Sequence, residues 1–175
     1  MRLTLVTPPA ETPISLRDAK AQCRIDDDDE DLLIQSYLDA AVSWLDGYSG
    51  VLGRCMVTQT WRADITRLGE VIALPFPDII VTTADFSDTV GGAMVYEWHE
   101  SMASPALLPR GGFGRPAAVV FTAGYGPSAA VPEALKQAVR LLVQYFEARD
   151  SDPAVAERIM RSVHALIAPF RVQRV

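Results

Sequence analysis

The feature that most constrains the fold is the change in the spacing of apolar residues along the chain. Within residues 33–48 and again within residues 135–146, apolar side chains recur every three or four positions, the spacing of one helical face. Within residues 57–65, apolar and polar residues alternate, as they do in a half-buried strand. A chain that carries both periods has to combine helices with a sheet, so an α+β fold is expected.

Four helices are predicted, and local sequence signals mark the ends of three of them. Ser15 followed by Asp18 marks the start of the first helix, because a serine hydroxyl can accept an unpaired amide hydrogen there. Pro132 stands at the first position of the third helix, where its missing N–H is tolerated. Pro169 stops the fourth helix. The predicted helices span about residues 15–23, 29–48, 132–149 and 154–167.

The middle of the chain, residues 55–123, is predicted to be a small antiparallel β insertion with a hairpin around Gly91-Gly92. Strand-like pieces lie at about residues 57–65, 71–74, 79–84, 94–98 and 118–122. The expected fold class is α+β, mainly α: a helical bundle with this β insertion and an extended C-terminal tail, residues 168–175. A length of 175 residues fits a single domain, 1–175.

Charge and hydropathy narrow the classes of function. The net charge is −6, whereas sequence-independent binding to duplex DNA depends on clustered lysine and arginine. No apolar run reaches the roughly eighteen residues of a membrane span, and residues 1–10 lack the apolar core of a secretory signal. We therefore expect no membrane contact, no electrostatic grip on DNA and a cytoplasmic setting.

Residues that could carry catalysis or hold a metal are few and scattered. His99 and His164 belong to no zinc or metalloprotease motif, and Cys23 and Cys55 lie far apart without a CxxC or Cys/His cluster. No GxSxG elbow, phosphate-binding loop or dinucleotide fingerprint is present. The sequence therefore predicts no catalytic residue, no cofactor and no metal site.

A run of acidic residues precedes the second predicted helix. Acidic side chains favour the positive end of a helix dipole, but this run is longer than capping requires. It does not fit a calcium loop, because Asp31 stands where an EF-hand needs glycine and Tyr37 where it needs glutamate. Two interpretations stay open: an ordinary solvated face, or a surface that faces a basic partner or a pore. The run comprises Asp26, Asp27, Asp28, Asp29, Glu30 and Asp31.

Several short motifs follow one another in an order that resembles a known family. They are Thr12-Pro13-Ile14-Ser15-Leu16, Arg24-Ile25-Asp26, Gly50-Val51-Leu52-Gly53-Arg54, Val57-Thr58-Gln59-Thr60-Trp61, Phe121-Thr122-Ala123-Gly124-Tyr125-Gly126 and Pro169-Phe170-Arg171. Each motif alone is weakly specific, but their order and spacing resemble the head–tail connector (adaptor) family of long-tailed phages and gene transfer agents. The resemblance extends over almost the whole chain.

The resemblance implies a structural protein without enzymatic activity. It also implies assembly of the family's type: a twelve-fold ring that forms beneath the portal protein after DNA packaging and extends the DNA channel. A tail-side stopper or tail-completion protein is the implied partner on the other face, and genomic DNA passes through without sequence-specific binding. The implied location is the head–tail interface of the virion, with the host cytoplasm as the place of assembly.

The same resemblance implies that the C-terminal segment docks onto the portal. By position, the portal-binding residues are Leu166, Pro169, Phe170, Arg171, Val172 and Arg174. Phe170 stands where the family usually has tyrosine, so the aromatic anchor is kept while a phenolic hydroxyl is absent. The acidic run is the second surface that we expect to face a partner or the channel.

Two alternatives remain at the level of sequence. The first is another head-completion or tail-completion protein, which would share the virion location but contact different neighbours. The second is a small cytoplasmic α+β enzyme or binding module, for which the sequence offers no positive motif.

Overall fold

A computed structural model describes residues 1–67, 69, 71–83, 96–99, 105–109, 116–148 and 153–172. The described chain contains both α helices and antiparallel strands, which confirms the predicted α+β class. It divides into two compact units. A β unit comprises residues 1–10 and 58–125, and a helical unit comprises residues 11–57 and 126–175.

The helical unit is built from the four predicted helices. They are α1 (Leu16–Cys23), α2 (Asp31–Leu45), α3 (Glu133–Ala148) and α4 (Pro153–Ile167). The cap predicted for α1 is present in reciprocal form: the Asp18 N–H donates to the Ser15 hydroxyl, and the Ser15 N–H donates to the Asp18 carboxylate. Helix α2 ends three residues before its predicted end, because Asp46 takes an extended conformation.

Helix α3 lies at the centre of this unit and packs against each of the other three helices. Its buried residues are Leu135, Ala138, Val139, Leu142 and Val143, and those of α4 are Ala156, Ile159, Val163 and Ile167. On α2 the buried face is formed by Ile34, Leu38, Ala41 and Leu45. The stripe predicted on α2 was therefore offset, because Leu33 is 46% exposed while Ile34 is fully buried.

The β unit contains two antiparallel sheets. Its strands are β1 (Arg2–Thr7), β2 (Gln59–Ile65), β3 (Ile72–Ala73), β4 (Ile79–Thr83), β5 (Tyr96–His99), β6 (Ala106–Pro109) and β7 (Ala117–Ala123). One sheet has the order β1-β2-β7-β4, and the other has the order β3-β6-β5. We call the first one the four-stranded sheet.

Strands β1 and β6 were not predicted from the sequence. Strand β1 lies before the helices and pairs with β2, so the β unit is more than an insertion between α2 and α3. The hairpin predicted around Gly91-Gly92 lies outside the described residues. The strands that flank it, β4 and β5, belong to different sheets.

An aromatic cluster packs on the buried face of the four-stranded sheet. Trp61 on β2 is directly opposite Phe121 on β7, so both side chains point to the same face. The ring of Phe76 lies 5.4 Å from that of Trp61 and 6.1 Å from that of Phe121, and Phe121 is fully buried. This cluster fixes which face of the sheet is turned inward.

Candidate assembly surfaces

The geometry of the acidic run is set by the way α1 ends. Arg24 adopts a left-handed conformation with φ of 59°, and its N–H donates to the Ala21 carbonyl at 3.3 Å. The next N–H, of Ile25, donates to the Lys20 carbonyl at 3.1 Å. These bonds end the helix and reverse the chain, so the acidic residues return towards the last turn of α1.

Lys20 binds two members of the acidic run. Its Nζ lies 2.8 Å from Oδ1 of Asp28 and 2.5 Å from Oδ1 of Asp31, and its side chain is only 12% exposed. The hydrogen bonds that Lys20 donates to Asp28 and Asp31 raise the pKa of Lys20 above its usual value, and the bond from Lys20 lowers the pKa of Asp28. Lys20 therefore clamps the loop that connects α1 to α2.

The remaining four members of the run form an exposed acidic surface. Asp26, Asp27, Asp29 and Glu30 are all exposed, and within the described part of the chain none of their carboxylates is in an ion pair. The run thus divides into a clamped pair and four solvated charges. The sequence predicted the exposure of these charges, but it did not identify Lys20 as their clamp.

Up to Val172, the C-terminal segment has an ordered backbone conformation after the end of α4. After Ile167 the chain makes a single 3₁₀ turn, Ala168–Phe170, and it becomes extended at Arg171. The predicted end of the last helix is confirmed. Pro169 and Arg171 are exposed, whereas Leu166, Phe170 and Val172 are half-buried; Arg174 lies outside the described residues.

The extended end is tied to the body of the helical unit. The Val172 N–H donates to the Leu52 carbonyl at 2.9 Å. The extended tail expected from the sequence is thus bonded to its own chain at Val172. Leu52 was missed as an anchor because the contact joins residues that are far apart in sequence.

The turn that receives the tail is itself tightly bonded to α2. The N–H of Val51 donates to the Trp44 carbonyl at 2.9 Å, and that of Leu52 donates to the Leu45 carbonyl at 3.1 Å. Leu52 is fully buried. The turn is the Gly50-Val51-Leu52-Gly53-Arg54 motif, so one of the motifs behind the family resemblance has a structural role here.

A charged cleft lies between the starts of α1 and α3, and its carboxylates accept hydrogen bonds or form ion pairs within the cleft. The Glu133 carboxylate is 2.6 Å from Arg140 and 3.8 Å from Lys136. The Arg140 guanidinium lowers the pKa of Glu133, and hydrogen bonds from Ser15 lower the pKa of Asp18. A general acid at neutral pH needs a raised carboxyl pKa, so the cleft has the character of a structural ion-pair network.

The cysteines and the described histidine also have structural environments. Burial raises the pKa of Cys23 to about 11, so its thiol is protonated at neutral pH; Cys55 is buried. The ring of His164 meets that of Trp44 edge-on, with centroids 6.0 Å apart. The side chain of His99 lies outside the described residues. Among the residues that the structure describes, no cluster of metal-ligating side chains occurs.

Substitution of His164 by glutamine is expected to leave particle assembly and titre unchanged. The change removes the edge-on contact with Trp44, which costs about 1 kcal/mol of unfolding free energy. Thermal unfolding of the purified variant and titre of particles that carry it check the two halves of this prediction. A lost titre with unchanged stability and normal particle assembly would show that His164 has a chemical role.

Comparisons with known proteins agree with this structural character. A family model described as "Phage gp6-like head-tail connector protein" matches residues 13–66. Two similar solved chains belong to the necks of gene transfer agent (GTA) particles. One is from an empty particle computed with C6 symmetry, with 26% identity and a TM-score of 0.73. The other is from a native particle computed with C12 symmetry, with 28% identity and a TM-score of 0.71.

Both alignments cover 100% of this chain and 97% of the neck chain, so the likeness includes both units. Among curated proteins, no sequence matches. In the described residues no helix is long and apolar enough to cross a membrane. The matched family is that of a phage head–tail connector, and both matched chains come from particle necks. The family match and the two neck chains thus agree with the resemblance to head–tail connector proteins that the sequence motifs indicate.

Proposed function

We propose that this chain is the connector subunit that forms a closed ring below the portal, extends the DNA channel and joins head to tail. The observation that carries the proposal is the full-length match to two neck chains, at TM-scores of 0.73 and 0.71. A match over both units supports a shared role better than a match to one helix pair would. The proposed location is the virion at the head–tail interface, after assembly in the host cytoplasm.

A ring of identical subunits sets a geometric requirement. Each copy must present two different surfaces, because the contact between neighbours in a ring is head-to-tail rather than two-fold. The C12 symmetry of one similar neck supports twelve copies. We propose a dodecamer, with the portal protein on one side and a tail-side stopper or tail-completion protein on the other.

Charge supports a conduit through which genomic DNA slides. The chain has a net charge of −6, and Asp26, Asp27, Asp29 and Glu30 are exposed next to the clamped pair Asp28 and Asp31. A lining that gripped phosphates would retard the duplex, whereas an acidic lining repels it. The exposed acidic surface is therefore assigned either to the channel or to a basic partner, and binding of DNA is not sequence-specific.

The C-terminal segment is proposed to dock onto the portal. Pro169 and Arg171 are exposed at the end of α4, beside the half-buried Leu166, Phe170 and Val172. An apolar groove with an acidic rim on the portal would accept the aromatic ring of Phe170 as anchor and would orient Arg171 and Arg174 by charge.

Substitution of Phe170 by alanine is expected to weaken attachment to portal-bearing heads by about 2 kcal/mol, which is the loss typical of an interface hot spot. Arg174→Ala is the matched comparison, and its effect should be much smaller because a charge at an interface rim contributes little. Titration of each purified variant against DNA-filled heads, followed by sedimentation, measures both losses. Equal binding by Phe170→Ala and the unmodified protein would show that the anchor lies elsewhere.

We propose that the protein has no enzymatic activity and needs no cofactor or metal. The lowered carboxyl pKa values of Glu133 and Asp18 and the raised pKa of the Cys23 thiol support this, since none of these groups is adjusted for catalysis at neutral pH. The cytoplasmic enzyme and the binding module therefore have no specific observation in their favour.

The proposal is tested by producing particles without this chain. DNA-filled heads and free tails should accumulate separately, and purified protein added to the mixture should restore joined particles. Normal joining without the protein would contradict the connector function.

A further inference from the structure

The four-stranded sheet has two strand edges without a described neighbour. In the order β1-β2-β7-β4, strands β1 and β4 are the outermost, and each pairs along one side within the described part of the chain. An unpaired edge presents a row of N–H and C=O groups that can template pairing with another chain.

The exposed apolar residues of these two strands lie at the edges. Leu5 and Val6 on β1 are 41% and 52% exposed, and Ile80 on β4 is 71% exposed. The segments Arg2–Thr7 and Ile79–Thr83 contain no lysine, proline or acidic residue, and Arg2 is their only charge. Soluble proteins usually protect edge strands with such residues, so these two edges have the composition of strands that are covered in an assembly.

The strand directions make the two edges complementary to each other. Every neighbouring pair in the sheet is antiparallel, so β1 and β7 run one way while β2 and β4 run the other. Rotation about a ring axis leaves the component of each strand direction along that axis unchanged. The β4 edge of one copy therefore meets the β1 edge of the next in antiparallel orientation, and the alternation continues around the ring without a break.

We infer that adjacent copies of this chain pair the β4 edge of one subunit with the β1 edge of the next, which joins their four-stranded sheets into one continuous antiparallel ring. The inference rests on the proposed ring and goes beyond it by naming the contact. It satisfies the head-to-tail requirement of a ring, because the two edges are different surfaces on the same subunit.

The sheet register identifies which side chains meet across this contact. Ile80 is opposite Thr122, and Thr122 is opposite Thr60, so Ile80 lies on the face away from Phe121. Leu5 is opposite Trp61 and shares the face of Phe121. Thr7 is opposite Thr60, so it shares the face of Ile80, and so does Thr4, which is opposite Arg62. Val6 lies at the register shift between Leu5 and Thr7, where the alternation of faces is interrupted. Thr4, Thr7 and Ile80 are therefore expected on the same face of the joined sheet.

Cysteine pairs test the contact in assembled particles. The double variants Thr7→Cys/Ile80→Cys and Thr4→Cys/Ile80→Cys cover two registers that place both thiols on the face away from Phe121, and a short bismaleimide links thiols on neighbouring strands. A denaturing gel should show a ladder of multimers that extends to twelve copies. Each single variant should give no ladder, because the contact joins position 80 to the β1 edge and not to itself.

The outcomes separate this inference from the proposed connector function. The chain present at the neck with no ladder in either double variant would overturn the edge pairing and leave the connector function standing. A product linked to a different protein would assign the edge to a portal or tail-side partner and would also overturn it. Absence of the chain from particles would overturn both.

Ile80→Lys provides an independent measurement that does not depend on cross-linking. A lysine in the middle of the edge should reduce incorporation into particles by about tenfold or more. Val71→Lys is the matched control, since Val71 is 59% exposed in the same unit but lies outside the four-stranded sheet. Equal incorporation of the two folded variants, checked by thermal unfolding, would contradict the edge contact.

Discussion

Deletion of residues 168–175 is expected to abolish attachment to portal-bearing heads while the helical unit stays folded. The core of that unit is completed by Val163 and Ile167 on α4, and none of the described residues that the deletion removes, 168–172, has a fully buried apolar side chain. It removes the bond from Val172 to Leu52 and the half-buried ring of Phe170, which together contribute about 2 kcal/mol to the free energy of unfolding. Co-sedimentation with DNA-filled heads measures the attachment.

Thermal unfolding of the truncated protein provides the control for this deletion. A cooperative transition at moderately lower temperature shows that the fold survives, so that lost binding can be assigned to the missing segment. Equal binding by truncated and full-length protein would move the docking site elsewhere, and the exposed acidic surface at Asp26, Asp27, Asp29 and Glu30 would be the next surface to test.

Replacement of Gly50 by alanine is expected to destabilise the helical unit by about 3 kcal/mol. A Cβ at this position would overlap the backbone carbonyl oxygens of Leu45 and Asp46, which cannot move without disturbing the end of α2. The same turn presents the Leu52 carbonyl that accepts from Val172, so the variant should also loosen the C-terminal segment. Chemical denaturation measures the stability change.

Gly69→Ala is the matched control for this substitution. A Cβ at Gly69 would meet the Val71 carbonyl oxygen at 3.8 Å, an ordinary van der Waals contact. We expect a change within about 0.5 kcal/mol. If Gly50→Ala proved as mild as Gly69→Ala, the turn after α2 would be more adaptable than its backbone packing indicates.

The helices were predictable because their signals are local. The apolar periods of α3 and α4 and the cap at Ser15 act over a few residues, and the observed bounds of α1, α3 and α4 agree with those expected to within about one residue. Helix α2 is shorter than expected at both ends. Strand β1 was missed because it is held by pairing with β2, far along the chain, and five of its six residues are exposed. An edge strand of this kind has no strong alternation for the sequence to reveal.

The assembly surfaces were predictable only in part. The exposure of Asp26, Asp27, Asp29 and Glu30 followed from mutual repulsion, which is a property of composition. The clamp by Lys20 depends on the left-handed turn at Arg24, a conformation that a non-glycine residue rarely adopts and that composition does not indicate.

The tail anchor was likewise beyond a local reading of the sequence. The hydrogen bond between Val172 and Leu52 joins two backbone groups that are 120 positions apart. Nearly every residue type carries the same backbone N–H and C=O groups, so the sequence does not indicate which of them pair. The portal-docking assignment of Phe170, Arg171 and Arg174 stays a prediction, because the partner surface is not part of this chain. It requires a partner surface for its test.

The central claim is tested most directly by reconstruction of the particle neck without imposed symmetry. The account predicts a closed ring of twelve copies of this chain around the DNA axis, immediately below the portal, in agreement with the C12 symmetry of a similar neck. A two-fold dimer, a single copy, or a ring in which this chain does not contact the portal would contradict it.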